Sequence, residues 1–352
     1  MNSASSYQVE AQIKEYASNP FTPLPSLKGI SPGVEKPKVE KATLEKLLEV
    51  YERVKEECRD VVAVEDKLKL LLSKIDYCEK DISNLVAAAQ ILDENESMAF
   101  GAYVGSLITI LTERNEAKGK RTIIEISENR LDYLGYDCRK FDVVRFGANN
   151  GDCVFSFAKN GNELYVEDCE GSSFAHNAGL YGAHVGEIKA NIVDGDGFAE
   201  DAGSNDGHVD KISAGTVNGE RFASFAGWRG HVGEISAGTV NGEKFAFDAG
   251  WTCGHVGKIS ADVVNGEKFA YFAGSSGGRV GKISAGTVNG GRFAEGAGVD
   301  RGHVGEISAD VVNGELFAED ASAKKIYVRK ISEEARETMN PKTIIGDWEV
   351  EK

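Results

Sequence analysis

The chain has 352 residues, 41 of them Gly and only 6 Pro, with 41% hydrophobic residues and a formal net charge of −16. At about 100–200 residues per domain that length predicts two or three folded units, and the hydrophobic content excludes a wholly disordered acidic chain. The excess of 56 Asp+Glu over 40 Lys+Arg argues against nucleic acid or an anionic membrane as a partner.

The first residues, MNSASSYQVEAQIKEY, lack the apolar core and cleavage site of a secretory signal. Six cysteines (Cys58, Cys78, Cys138, Cys153, Cys169, Cys253) are scattered with no CxxC pair. Reduced thiols in a cytoplasmic protein are the expectation. Five of the six prolines (Pro20, Pro23, Pro25, Pro32, Pro37) fall in the first 37 residues. Residues 1–40 therefore read as a flexible tail with no core of its own.

From Thr43 the period becomes helical. Leu44, Leu47, Tyr51, Val54 and Cys58 alternate spacings of three and four. After a break at CRDVVAVED the pattern resumes through Leu68, Leu71, Ile75, Cys78, Ile82, Leu85, Ala89 and Leu92. The spacing predicts two helices packed as an antiparallel hairpin, with a subunit-joining coiled coil as the alternative. A third helix, about 95–116, is apolar on more than one face and needs covering. Its stretch from Met98 to Thr112, about 15 residues, is short of the roughly 20 needed to span a bilayer. The helical unit is placed at 41–118.

A repeat dominates the rest. HVGEISAGTVNGEKFAFDAGWTCG (231–254) is followed by HVGKISADVVNGEKFAYFAGSSGG (255–278), and related copies start at His184, His208, Arg279 and His303. The period is 24 residues with one copy of 23, and a degenerate copy spans about 160–183. Self-similarity of this kind means a solenoid, in which each unit buries its apolar face against its neighbours. Apolar and polar residues alternate at period 2, each copy carries Asn-Gly or Asp-Gly, and the array contains no Pro. The prediction is a mainly β solenoid, a right-handed parallel β-helix of 24-residue coils over 119–331 (regular at 184–325), behind an N-terminal α-helical hairpin or bundle. A strand-plus-helix horseshoe is disfavoured because Leu316 is the single Leu in the six regular copies.

Stacking would align Phe198, Phe222, Phe245, Phe269, Phe293 and Phe317 in one column. Coils about 4.8 Å apart give the six copies a length of roughly 29 Å. The helices before about 118 are placed to cover the first coil, since open solenoid ends offer unpaired edges. Residues 332–352 are expected to cap the other end, with a strand at IYVRKI (326–331), a helix at SEEARETMN (332–340) and a strand at TIIGDWEV (343–350).

The beat G-x-x-F-A-x-x-A-G followed by V-G-x-I-x-A resembles the GXGXG-type β-helix, which forms a domain of glutamate synthase and makes up much of one component of formylmethanofuran dehydrogenase. The likeness covers about 140–330, and Ala223, Ala246 and Ala270 stand where that family usually has Gly. It implies a structural, interdomain element and carries over no cofactor or substrate residue.

Two columns stand out. Five histidines (His184, His208, His231, His255, His303) share one position with Arg279. At about 5 Å spacing neighbouring imidazoles could share a transition metal, with His184, His208, His231 and His255 as candidates. A packed ladder is preferred, because no carboxylate or thiolate sits in that column and an Arg interrupts it. The second column is aromatic: Phe225, Trp228, Phe247, Trp251, Tyr271 and Phe272 in the middle copies, against Glu200, Asp201, Glu319 and Asp320 in the outer ones. This pattern predicts an exposed patch flanked by acids, a mark of protein or glycan binding.

There is no G-x-S-x-G, P-loop or HExxH motif. The expected function is a non-enzymatic scaffold without cofactor, binding a protein partner through the β-helix face. Homo-oligomer formation would run through the N-terminal helices. The alternatives are a carbohydrate-active enzyme using Asp194, Asp196, Glu200 and Asp201, and a metal-binding protein using the histidines.

Overall fold

The computed structural model describes residues 41–56, 61–89, 94–333, 335 and 349–350. The proline-containing tail, Cys58, and most of the expected C-terminal cap lie outside the described residues.

Among the described residues four helices precede the strands: α1 (Lys41–Val54), α2 (Val61–Leu72), α3 (Glu79–Ala88) and α4 (Glu94–Glu116). The second heptad run is therefore two helices, which corrects the expected hairpin to a four-helix bundle. The interruption has a local cause. The Ile75 N–H bonds to the Leu72 carbonyl at 3.0 Å, closing the end of α2, and the Asp81 carboxylate accepts the Cys78 N–H at 2.9 Å at the start of α3. The supposed break at CRDVVAVED is also misplaced, because Val61–Asp66 are helical. Leu44, Leu47, Val54, Leu68, Ile82, Leu85 and Ala89 are buried as their spacing requires, whereas Leu71 and Ile75 are half-buried, Cys78 is exposed, and Leu72 and Tyr77 are buried instead. Tyr103 of α4 donates its hydroxyl to the Leu47 carbonyl at 2.7 Å, tying α4 to α1.

The rest is a parallel β-solenoid. One face is an 11-stranded parallel sheet in the order β1-β2-β3-β4-β5-β7-β9-β11-β12-β13-β14. Its long members are β1 (Ile123–Asn129), β2 (Lys140–Asn149), β3 (Asn160–Cys169), β4 (His184–Val193), β5 (His208–Val217), β7 (His231–Val240), β9 (His255–Val264), β11 (Arg279–Val288), β12 (His303–Val312) and β13 (Ala323–Ile331). Two-residue strands at Arg221–Phe222 (β6), Lys244–Phe245 (β8) and Lys268–Phe269 (β10) form a second, smaller sheet, and β14 is Glu349–Val350.

The register confirms the 24-residue coil, pairing Ile188 with Ile212 and Ile259 with Ile283, and the 23-residue copy, pairing Ile212 with Ile235. Two further coils precede the degenerate copy. They are shorter, with Val144 beside Leu164 and Ile124 beside Val144. The repeat pattern did not reveal them because each drops four residues, so no fixed period aligns them.

The opposite side of each coil carries the F-A-x-x-A segment as a ribbon of tight turns. In one coil the N–H groups of Ala226, Trp228 and Gly230 bond to the carbonyls of Ala223, Phe225 and Gly227 at 3.3, 3.0 and 3.0 Å. Every second residue has positive φ: Ala223 at 50°, Phe225 at 56° and Gly227 at 72°. That places φ > 0 at the third position of each turn, the type II signature. The equivalent Ala246 and Ala270 are left-handed as well, with φ of 50° and 51°.

The Asn-Gly dipeptides work differently from expectation: among the described residues none of them has positive φ. Their glycines are required by close approach, because a Cβ on Gly242 or Gly266 would overlap the carbonyl oxygen of the glycine one coil earlier. Their asparagines form a ladder. Asn241, Asn265, Asn289 and Asn313 each donate Nδ2 to the Oδ1 of the asparagine one coil before, at 2.8–2.9 Å. Asn218 donates to Asp194 at 2.7 Å.

Between the two faces lies the core. Phe198, Phe222, Phe245, Phe269, Phe293 and Phe317 are each at most 1% exposed. They stack with centroids 4.8–5.1 Å apart and planes within 4° of parallel. Helices α3 and α4 close the first coil: the Gly135 N–H bonds to the Gly101 carbonyl at 3.1 Å, and Thr109 Oγ1 accepts the Arg139 N–H at 3.2 Å. Among the described residues no helix is long and apolar enough to cross a membrane.

Candidate functional site

The turn ribbon positions the aromatic residues. In each F-A-x-x-A segment the Phe and both Ala are buried, while the two residues between the alanines can face outward, as Phe247 with Asp248 and Tyr271 with Phe272 do. The coil-to-coil bond from the Phe225 N–H to the Phe247 carbonyl at 2.8 Å fixes neighbouring ribbons in register. Phe225 meets Phe247 edge to face at 5.9 Å, Phe247 stacks on Tyr271 at 5.5 Å with planes 10° apart, and Tyr271 meets Phe272 at 4.3 Å. Trp228 and Trp251 hold one equivalent position in consecutive coils, and Arg229 lies 5.2 Å over the Trp228 ring.

All six aromatics are half-buried, which corrects the expectation of an exposed patch. Part of the physical reason is the ladder itself, because Phe225 leans on Phe247 and Phe247 on Tyr271 in the next coil, while Tyr271 covers Phe272. Each side chain keeps part of its surface exposed. The Trp228 indole N–H has no acceptor among the described residues.

Acids rim and interrupt this face. Burial pushes the Asp248 carboxyl up to about 6, and burial with the nearby Glu200 charge does the same for Asp201. Glu200 is itself buried and paired with Arg221 at 3.2 Å. Asp194 heads the asparagine ladder, and Asp196 accepts the Glu220 N–H at 2.7 Å. Three of the four acids considered for glycan chemistry are thus engaged in coil-to-coil bonds.

The histidines begin strands β4, β5, β7, β9 and β12 in register. The His208 and His231 rings stack 4.4 Å apart with planes 9° from parallel, and His231 and His255 at 4.8 Å and 14°. Burial and the neighbouring His208 and His255 hold the His231 pKa below its ordinary value. Arg279 continues the column beside His255, and His303 follows it.

The His184 ring breaks the stack, tilted 58° from His208. Its Nε2 lies 3.1 Å from Asp210 Oδ2, while His208 Nε2 lies 2.8 Å from Asp210 Oδ1. Asp210 is not among the residues the sequence singles out, because it lies outside the histidine column itself. Its signal is two residues on: Gly186, Gly233, Gly257, Gly281 and Gly305 occupy this position in the other copies, and Asp210 replaces them once.

The five described cysteines are free, and burial pushes the thiols of Cys138 and Cys169 up to about 12, so these two are inert. Compared with known proteins, the chain matches no family model, no curated protein and no solved structure.

Proposed function

We propose that this protein is a non-enzymatic scaffold whose turn-ribbon face, from Phe225 to Phe272, engages another protein. The observation that carries the reading is the run of aromatics across three consecutive coils, at positions where outer coils hold Glu200, Asp201, Glu319 and Asp320. A stiff backbone holds these rings before any partner arrives, so little side-chain freedom is lost on binding. Apolar rings ringed by carboxylates complement a partner with an apolar centre and Lys or Arg at its edge. The resemblance to a structural, interdomain β-helix agrees with this role, and a cytoplasmic setting and oligomer formation through the helical bundle belong to the same reading.

The test is affinity capture from native lysate with the intact chain and with a Trp228→Ser/Trp251→Ser variant first shown to be folded. A partner recovered only with the unaltered chain, and binding it directly when purified, supports the reading. Equal recovery with both forms, or no partner with either, contradicts it.

A further inference from the structure

We infer that His184, His208 and Asp210 form a binding site for a divalent transition-metal ion, separate from the aromatic face. Their ligand atoms lie within 4.8 Å of one another. Two imidazole nitrogens and a carboxylate are the donor set that borderline ions such as zinc, cobalt(II) or iron(II) take. In a tetrahedral site with metal–ligand bonds near 2.0–2.1 Å, neighbouring ligand atoms sit about 3.3 Å apart. The observed nitrogen–oxygen separations of 3.1 and 2.8 Å run to the two different oxygens of Asp210, so drawing all three donors onto one ion takes a rotamer adjustment, which the exposed His184 and Asp210 side chains allow.

Three features single out this pair of coils. Of the six regular copies, only this one carries a carboxylate instead of Gly at the strand's third position. Of the adjacent histidine pairs, only this one abandons the parallel stack, turning both Nε2 atoms onto one carboxylate. His184 also lines the edge of a cavity of about 360 Å³ with Asn160, Asn162 and Asp142. Arg279 begins a strand three coils beyond His208 and does not touch a site built from two coils. Three protein ligands leave at least one coordination position open.

The test uses the tag-free full chain titrated with cobalt(II) near pH 7.5. One ion should bind per chain, with ligand-field absorption and no thiolate charge-transfer band. Asp210→Gly restores the residue found in the other copies, so the fold is retained, and it should weaken binding by more than about tenfold. His184→Gln should do the same, while His303→Gln should leave binding unchanged. Absence of saturable binding overturns the inference, as does binding indifferent to Asp210→Gly or carried by a thiolate.

Discussion

Phe245→Ala is the perturbation that probes the solenoid core most sharply. The ring is 1% exposed and stacked on both sides, on Phe222 at 4.9 Å and on Phe269 at 4.8 Å. Removing it forfeits about 2–3 kcal/mol of apolar burial. A void on the order of 100 Å³, at about 24 cal/mol per Å³, adds up to about 2 kcal/mol where the walls cannot collapse. The walls here are the coil backbones, fixed by bonds such as Ala246 N–H to the Phe222 carbonyl at 2.8 Å. The expected cost is therefore about 3–5 kcal/mol. Phe317 stacks on Phe293 alone among the described residues, so Phe317→Ala should cost less by about 0.5–1.5 kcal/mol. Guanidinium unfolding followed by far-UV circular dichroism measures both, through the midpoint at unchanged slope. A cost for Phe245→Ala below about 1 kcal/mol, or equal costs at the two positions, would refute the stacked-column reasoning.

Other perturbations test separate parts of the structure. Asn265 donates to Asn241 and accepts from Asn289, so Asn265→Ala should cost about 1–2 kcal/mol by chemical denaturation, tempered by solvent access. Gly266→Ala should be worse than Asn265→Ala in the same assay, because the new methyl meets backbone that cannot yield. The Asp248 carboxyl, raised to about 6, binds its proton more tightly folded than unfolded, so its contribution is full below about pH 4 and is lost as pH rises through 6. Asp248→Asn should accordingly raise the melting temperature at pH 8 and lose that advantage near pH 4. An advantage independent of pH would contradict the assignment.

Much of the fold was legible because the repeat is its own control. The Val, Ile and Phe columns recur at a spacing that only stacked coils satisfy, and the structure buries Ile212, Ile235, Ile259 and Phe245 accordingly. The two coils before Asn160 were hidden because their 20-residue length and substituted residues, such as Leu134 and Val154 in place of the column's Phe, break the period. The Asn-Gly pairs stand out in the sequence for the wrong reason. Turn statistics favour φ > 0 there, whereas coil spacing dictates the glycine and side-chain laddering dictates the asparagine. The positive φ values sit instead on Ala223, Ala246 and Ala270, where local propensity gives no warning and the inter-coil bonds impose the conformation. The aromatic column was identified by position, but its degree of burial depends on ring-to-ring contact that spacing alone does not encode. Asp210 shows the complementary lesson, that a single lapse in a regular beat carries more information than the beat.

The central claim is that the aromatic face, and not the strand face, meets the partner. A photo-crosslinking amino acid replacing Phe247 tests it most directly, with the same group replacing Lys258 on β9 as the control. The account predicts a discrete protein adduct from position 247, lost when Trp228 and Trp251 are changed to Ser, and none from position 258. Adducts from position 258 alone, or equally from both, would contradict it.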